Sequence, residues 1–205
     1  MLILFLVRHG LSEGNERRII QGWSPAALAP EGVAQAERLA KRIRAEEFDA
    51  VYSSDLERAA KTAKILFPDR PPTLTPLLRE QFMGAWEGKP HEEMEREYPE
   101  IFRKVFLEHR VEGIPGAEDT AALRKRAGEA LTFLAERHPE GRILAVTHGG
   151  LIHAMAGHLS GGHANFGIPG NCSVSILTAT GGTWRIHTWN DTGHLGQNLF
   201  TYKVE

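Results

Sequence analysis

The chain has a single cysteine, Cys172. It can form no disulfide within the chain and no cysteine-rich zinc site. A lone thiol of this kind reads as a small buried hydrophobe at the start of a strand. Long hydrophobic runs are also missing. The N-terminal run from Met1 to Val7 stops at Arg8, far short of the roughly 20 residues a membrane helix needs. It has no basic start and no small-residue cleavage site, so a signal peptide is not indicated and a cytoplasmic protein is expected. Charge of one sign is not in excess: 24 Lys and Arg stand against 26 Asp and Glu, a formal net charge of -2. That balance gives no general attraction to nucleic acid or to an anionic membrane. Any anion must be held by local placement of arginine and histidine. Repeats, low-complexity tracts and composition breaks are absent too. With 205 residues and 41% hydrophobic content, the chain is expected to form one domain over residues 1–205 with a proper core.

What is present is an alternation of strand and helix signals. Leu2 to Val7 is a continuous apolar run, as in a strand covered on both faces. Ser12-Glu13-Gly14-Asn15 can start a short helix. Pro30 opens a helix to about Ala45, with Val33, Ala36, Leu39, Ala40 and Ile43 at helical spacing. Phe48–Tyr52 reads as a strand, and Ser53-Ser54-Asp55 offers cap chemistry to a helix from Leu56 to Leu66. The proline-rich stretch from Pro68 to Pro76 allows at most a short strand around Thr73–Thr75. Pro90–His109 reads as helix interrupted at Pro99, and Ala117–His138 as a long amphipathic helix. Arg142–Thr147 holds a second buried-strand run, followed by a helix from Leu151 to about Leu159. Ser160–Gly170 is irregular. Ser173–Thr180 and Thr183–Asn190 flank Gly181-Gly182 as a hairpin. The pattern implies an α/β three-layer sandwich, with a mostly parallel central sheet flanked by helices.

Two strand ends carry chemistry: Val7-Arg8-His9-Gly10 and Val146-Thr147-His148-Gly149-Gly150. Sites in open α/β sheets gather at the carboxyl ends of strands. If the two strands are neighbours, both imidazoles converge on one crevice. The glycines allow close backbone approach, and the helices that follow offer N–H groups to an anion. Arg8 and Arg58 add forked, permanently charged donors suited to phosphate. A second grouping, His148, His153, His158 and His163, recurs every five residues. That spacing spreads side chains around a helix and lacks the four-residue repeat of a helical zinc pair, so no metal site is expected there.

The joint pattern resembles the histidine phosphatase superfamily, in its phosphoglycerate-mutase-like branch 1. The residues that carry the resemblance are Leu6-Val7-Arg8-His9-Gly10-Leu11-Ser12-Glu13-Gly14-Asn15, Gln21-Gly22-Trp23 and Tyr52-Ser53-Ser54-Asp55-Leu56-Glu57-Arg58-Ala59. They continue through Leu78-Arg79-Glu80, Gly84-Ala85-Trp86-Glu87-Gly88, Thr147-His148-Gly149-Gly150 and Asn171-Cys172-Ser173-Val174. These blocks keep the family's order over most of the chain.

The resemblance implies a fold like that of phosphoglycerate mutase and a phosphohistidine mechanism. His9 is then the nucleophile, with its other ring nitrogen held by a backbone carbonyl. Arg8, Arg58 and His148 clamp the phosphoryl oxygens, with His148 most useful as a protonated donor. Asn15, Gln21, Gly22 and Gly149 are implied as further phosphate contacts. Glu80 matches the family's proton donor, an acid role that burial beside Phe82 or Trp86 would favour. The guanidiniums and the imidazole supply the charge that Mg²⁺ supplies elsewhere, so no metal and no cofactor is implied. The expected partner is a small phosphorylated substrate, with no nucleic acid and no membrane; a homodimer is left open.

The block Gln81-Phe82-Met83-Gly84-Ala85-Trp86 looks more like small phosphatases than glycolytic mutases, so a phosphatase is expected. A mutase, a phosphatase of protein phosphosites and a non-catalytic phosphate-binding module are the alternatives. Phe82, Met83, Trp86 and Phe166 are candidates for an apolar wall. Two departures from the family pattern stand out. Ser24-Pro25-Ala26-Ala27-Leu28-Ala29 lacks the threonine that would cap the helix at Pro30, at a cost of about 1 kcal/mol if uncompensated. Gly116-Ala117-Glu118-Asp119 has Asp where the family has Ser, which is expected to add a carboxylate near the rim of the site.

Overall fold

A computed structural model describes residues 1–163 and 166–196. Residues 164–165, inside the stretch read as irregular, and residues 197–205 lie outside the described part. The strands are β1 (Leu2–Arg8), β2 (Ala50–Ser53), β3 (Thr73–Leu74), β4 (Gly141–Thr147), β5 (Val174–Thr180) and β6 (Thr183–Asp191). The helices are α1 (Glu13–Glu16), α2 (Pro30–Ala40), α3 (Glu57–Leu66), α4 (His91–Glu97), α5 (Pro99–Phe106), α6 (Thr120–Arg137) and α7 (Gly149–Leu159). The strands form one sheet in the order β3-β2-β4-β1-β5-β6. β1, β2, β3 and β4 run parallel, while β5 and β6 form the antiparallel edge.

Alternation along the strands makes the layers. Successive side chains of a strand point to opposite faces. Leu2, Leu4 and Leu6 of β1, with Ile143 and Ala145 of β4, pack against Leu131, Leu134, Leu151 and Met155 of α6 and α7. Val7, Leu144 and Val146 face the other way, onto Ala36 and Leu39 of α2 and Ala59, Ala63 and Leu66 of α3. The expected three-layer α/β sandwich is therefore the architecture. Both central strands are buried on both faces, which is why they read as continuous apolar runs. A third cluster lies apart, built by Ile20, Met83, Trp86, Met94, Phe102 and Val105 among others.

Several boundaries differ from the sequence expectation for identifiable reasons. α2 stops at Ala40 instead of Ala45, and the chain turns through a short 3₁₀ segment, Ala45–Glu47. The guanidinium of Arg70 takes the carbonyls of Ala45 and Phe48 at 3.1 and 2.5 Å, an alternative to helical bonding for that stretch. α6 starts at Thr120, because Asp119 caps it by accepting the Ala122 N–H at 2.8 Å. α7 starts at Gly149, two residues early; its opening Gly-Gly pair has low helix propensity and hid the start. Tyr98 separates α4 from α5 with a non-helical conformation (φ -135°, ψ 55°), as the position before a proline favours.

Candidate active site

β1 and β4 are parallel neighbours with Arg8 opposite Thr147. The next residues, His9 and His148, therefore leave adjacent strands at the same level. Their rings sit with centroids 5.1 Å apart, and both are buried. The Nδ1 of His9 lies 2.7 Å from the carbonyl oxygen of its own neighbour Gly10. That acceptor holds the proton on Nδ1 and leaves the lone pair on Nε2. The Nε of Arg58 stands 3.3 Å from that Nε2. Burial, and then the charges of Arg58 and Arg8, hold the His9 imidazole well below its ordinary value; the Gly10 carbonyl opposes them. The ring is neutral at physiological pH.

His148 is also pushed well below the usual imidazole range, by burial first and then by Arg58, His9 and Arg8. Burial and the neighbouring guanidiniums therefore favour the neutral ring, whereas the charge of a bound anion would favour the protonated donor that the resemblance implies. Its Nε2 lies 2.9 Å from the Ser54 hydroxyl, and its Nδ1 is buried without a hydrogen-bond partner. The Ser54 oxygen also accepts the Leu56 N–H at 3.2 Å. The cap expected from Ser53-Ser54-Asp55 is thus not made in the usual way. Leu56 is the N-cap of α3 and has no side-chain cap bond, while Ser54 faces His148 and Asp55 pairs with Arg79.

Arg58 is 1% exposed, and its charge is held by backbone carbonyls. Its Nη2 donates to Gly22 O at 2.7 Å and its Nη1 to Ser24 O at 3.4 Å. Burial lowers its pKa to about 10, with Glu80 opposing, so it stays charged at neutral pH. Gly22 has φ +51°, and a Cβ there would sit 2.0 Å from Glu87 Oε1. The position requires glycine on both counts. Glu87 in turn receives the N–H groups of Trp23 and Met83 and the Ser24 hydroxyl, which fixes the loop that feeds Arg58. Arg8 donates from Nη1 to Pro169 O at 2.6 Å, while its Nε is buried without a partner. Burial lowers its pKa and Glu80 raises it.

Asn15 closes a capping box with Ser12 at the start of α1. Its Oδ1 receives the Ser12 N–H, the Ser12 hydroxyl and Asn171 Nδ2. The carbonyl end of the side chain is therefore committed to the protein. Ser12 also bonds Gln21 Oε1 at 2.8 Å. Gly149, expected at the phosphate, is the first residue of α7 and lies against Arg8 and Ile168.

Glu80 reaches the same place from the segment after β3. Its Oε1 accepts the Gln81 N–H at 2.8 Å and its Oε2 the Gly150 N–H at 3.2 Å. Glu80 is half-buried, and each of the two aromatics expected beside it has ring or cluster partners of its own. Phe82 stacks near Trp23, and Trp86 belongs to the third apolar cluster. Arg126 of α6 holds the backbone around Glu80. It donates to the carbonyls of Leu77, Arg79 and Glu80 and pairs in two-pronged fashion with Glu118. Trp23 Nε1 adds a bond to Glu80 O at 2.7 Å. Asp119, expected to add charge at the rim, is the α6 cap instead; Glu118 is the carboxylate that serves the site.

Arg8, His9, Asn15, Gln21, Gly22, Arg58 and Glu80 all line one cavity of about 660 Å³. Ile20, Met83, Val105 and Val111 of the third apolar cluster form part of its wall. Of the expected apolar wall only Met83 lines it; Phe166 packs on Trp189. The four histidines spaced by five separate as their spacing implies. His148 stands beside His9, His153 and His163 line the cavity, and His158 abuts Gly128. Ser54, Thr62, Glu87, Arg126 and Asn171 were not singled out by sequence reasoning as site residues. Thr62 receives the Gly10 N–H and donates to Arg58 O, and Asn171 donates to His9 O. Ser54, Glu87 and Asn171 stood inside motif blocks, but their side chains act on other motifs and not on a ligand, which no spacing reveals.

Residues 4–192 match the family described as histidine phosphatase superfamily (branch 1). Among similar proteins, phosphoglycerate mutase-like protein 4 of Arabidopsis thaliana is 34% identical over 96% of this chain and 88% of its own length. The metal-independent phosphoserine phosphatase of the same plant is 33% identical over 94% and 82%. The solved structure of Bacillus stearothermophilus YhfR superposes with a TM-score of 0.86 at 30% identity, covering 95% of this chain and all of that one.

Proposed function

The chain belongs to branch 1 of the histidine phosphatase superfamily, and on that premise we propose that it is a metal-independent phosphomonoesterase. It acts on a small phosphorylated metabolite through a phosphohistidine on His9, as one domain over residues 1–205. The single observation that carries the reading is the setting of His9. Its imidazole is neutral, its Nδ1 is pinned on Gly10 O, and its Nε2 faces Arg58. A neutral imidazole with a fixed tautomer is a competent nucleophile.

In the first step Nε2 forms a bond to phosphorus as the bond to the leaving oxygen breaks. Arg8 and Arg58 bring two positive charges to the phosphoryl oxygens, where phosphoryl transfer gains most from positioning and charge. The His148 ring adds a donor to the phosphoryl oxygens, whose negative charge favours its protonated form. The Ser54 hydroxyl holds its Nε2 at 2.9 Å, and the unpartnered Nδ1 is the nitrogen left to meet the ligand. Asn15 turns its amide N–H₂ to the ligand, since its oxygen is committed. Glu80 gives its proton to the leaving oxygen. In the second step Glu80 takes a proton from water, oxygen bonds to phosphorus, and the bond to Nε2 breaks.

A cavity of about 660 Å³, the size of small-molecule sites, supports a small-molecule substrate. Among the described residues no helix is long and apolar enough to cross a membrane, and a cytoplasmic site of action is part of the same reading. The relatives include a phosphoserine phosphatase and a protein named as phosphoglycerate mutase-like, so phosphoserine and phosphoglycerates belong in the first substrate panel.

The test is turnover of p-nitrophenyl phosphate in EDTA by the wild type and by His9→Ala, with folding checked by circular dichroism. The expected outcome is chelator-resistant activity that the variant lacks. Equal activity in a folded variant removes His9 as the nucleophile. Isomerisation of a phosphoglycerate in place of its hydrolysis would make the chain a mutase.

A further inference from the structure

Glu80 is carried by a stretch of chain with no regular structure of its own. Residues 79–83 belong to neither helix nor strand, so no ladder or helical turn fixes where the carboxylate stands. The start of α6 supplies the constraint. Arg126 Nη1 donates to the carbonyls of Leu77 and Arg79 at 3.2 and 2.7 Å, and its Nη2 to that of Glu80 at 3.0 Å. Glu118 takes the following residues. Its Oε2 accepts the Phe82 N–H at 3.3 Å, its carbonyl accepts Gln81 Nε2 at 2.8 Å, and its N–H donates to Phe82 O at 2.9 Å. The two side chains are joined to each other from Arg126 Nε to Glu118 Oε1 at 2.8 Å and from Nη2 to Oε2 at 2.7 Å.

The pair grips both flanks of Glu80. Gln81, whose side chain is held by Glu118 O, gives its own N–H to Glu80 Oε1 at 2.8 Å. A path of hydrogen bonds thus runs from α6 to the carboxylate itself. The Arg126 fork uses all five of its N–H groups, two on Glu118 and three on carbonyls around Glu80. Neither Arg126 nor Glu118 lines the cavity. Their side chains are 14% and 15% exposed. An ion pair so far from water contributes little net stability, because desolvation offsets the attraction. What a rigid, fully used guanidinium supplies is direction.

We propose that Arg126, locked by Glu118, is the positioning residue of the proton donor: it sets where the Glu80 carboxyl stands against the leaving oxygen, and so governs protonation of the leaving group and not the attack of His9. The assignment rests on the reading of Glu80 as the acid of a phosphomonoesterase. In that step the proton passes from Glu80 to the oxygen whose bond to phosphorus breaks, which demands hydrogen-bond contact in the transition state. The groups that face phosphorus are held by other carbonyls: His9 by Gly10, Arg8 by Pro169 and Arg58 by Gly22. Arg126 touches none of these. Its charge also reaches His148, as the weakest of the influences on that ring. That influence acts at the phosphoryl oxygens and bears on every substrate alike.

The experiment uses the whole protein in EDTA and measures kcat/KM for p-nitrophenyl phosphate and for the best alkyl phosphate of the substrate panel. Nitrophenolate leaves without a proton, so its rate reads His9 and the clamp. The alkoxide needs Glu80. Arg126→Met is expected to lose about 10²-fold on the alkyl ester, the cost of a catalytic group displaced by about 1 Å. On the aryl ester it should keep most of its rate. Glu118→Gln should shift the ratio in the same direction by less. Lys125→Ala removes an exposed charge one position away and should leave both rates in place. In a Glu80→Gln background Arg126→Met should take nothing more from the alkyl ester, because the group it aims is gone.

Circular dichroism and a thermal melt check folding. If Arg126→Met does not fold, Glu118→Gln, which keeps its main-chain bonds, carries the same comparison. An equal loss on both esters makes the pair a purely structural element and overturns the assignment. So does an unchanged ratio in both variants, or a further loss when Arg126→Met is added to Glu80→Gln. A wild type with no chelator-resistant turnover of either ester removes the phosphatase reading itself, and that result is seen before any variant is compared.

Discussion

At the residue scale, the site divides its work between groups that face the ligand and groups that aim them. His9, Arg8 and Glu80 face it. Gly10 O, Gly22 O, Ser54, Thr62 and Arg126 aim. Glu80 illustrates the difference. Its carboxylate is tied to two backbone N–H groups, and the main chain that carries it is held by Arg126 and Trp23. Glu80→Gln keeps the size and one acceptor but has no proton to give. Hydrolysis of alkyl phosphates, whose leaving alkoxides need protonation, is expected to fall by about 10² to 10⁴. Hydrolysis of p-nitrophenyl phosphate, with its good leaving group, should fall far less. Steady-state kinetics on the two substrates give the ratio; an equal loss on both would remove the acid role.

At the element scale, the weak point is the start of α2. Ala29 is its N-cap and makes no side-chain cap bond, as the missing threonine leads one to expect. The helix is held there by other means. Ala29 N donates to Leu11 O at 2.9 Å. Gly10 and Gly32 pack backbone on backbone, since a Cβ on Gly10 would sit 2.4 Å from Gly32 O. The start of α2 thus braces the loop that follows His9. Ala29→Ser supplies the missing acceptor at a position whose extended backbone (φ -66°, ψ 159°) suits a cap. It is expected to stabilise the protein by about 1 kcal/mol, a rise of roughly 2–4 °C in a thermal melt. Unchanged or lowered stability would mean that the Leu11 contact already compensates, or that the hydroxyl does not fit the buried site.

At the scale of the whole molecule, two buried imidazoles link folding to pH. His9 and His148 both titrate well below the usual value of about 6.5 in the fold. Below that pH the unfolded chain binds protons that the folded chain refuses. Stability from these groups is therefore complete above about pH 6.5 and is lost as pH falls toward the folded values. Urea midpoints are expected to drop between about pH 7.5 and about pH 5, and His148→Gln should shrink the drop by removing one of the two groups. An equal drop in the variant would place the acid sensitivity elsewhere. A bound phosphate analogue should reduce the loss, because its negative charge favours the protonated imidazoles.

Much of this was legible in the chain itself. Continuous apolar runs marked β1 and β4 because burial on both faces leaves no polar positions. Gly181-Gly182 marked the hairpin, and the order of short motifs around His9, Arg58, Glu80 and His148 marked the site. What the sequence could not carry were relations between distant segments. That the His148 imidazole is pushed well below its usual range follows from its burial first, and then from guanidiniums brought against it from β1 and α3. That Ser54 serves His148 instead of capping a helix depends on the pairing of β2 with β4. That Glu118, and not Asp119, serves the site depends on where α6 begins and on Arg126 one face away. Local sequence determines which segments are strands and helices, because propensity and burial pattern act within a few residues. Protonation, tautomer and which residues share the cavity are decided only by the tertiary structure, because burial and Coulomb interaction depend on distance in space.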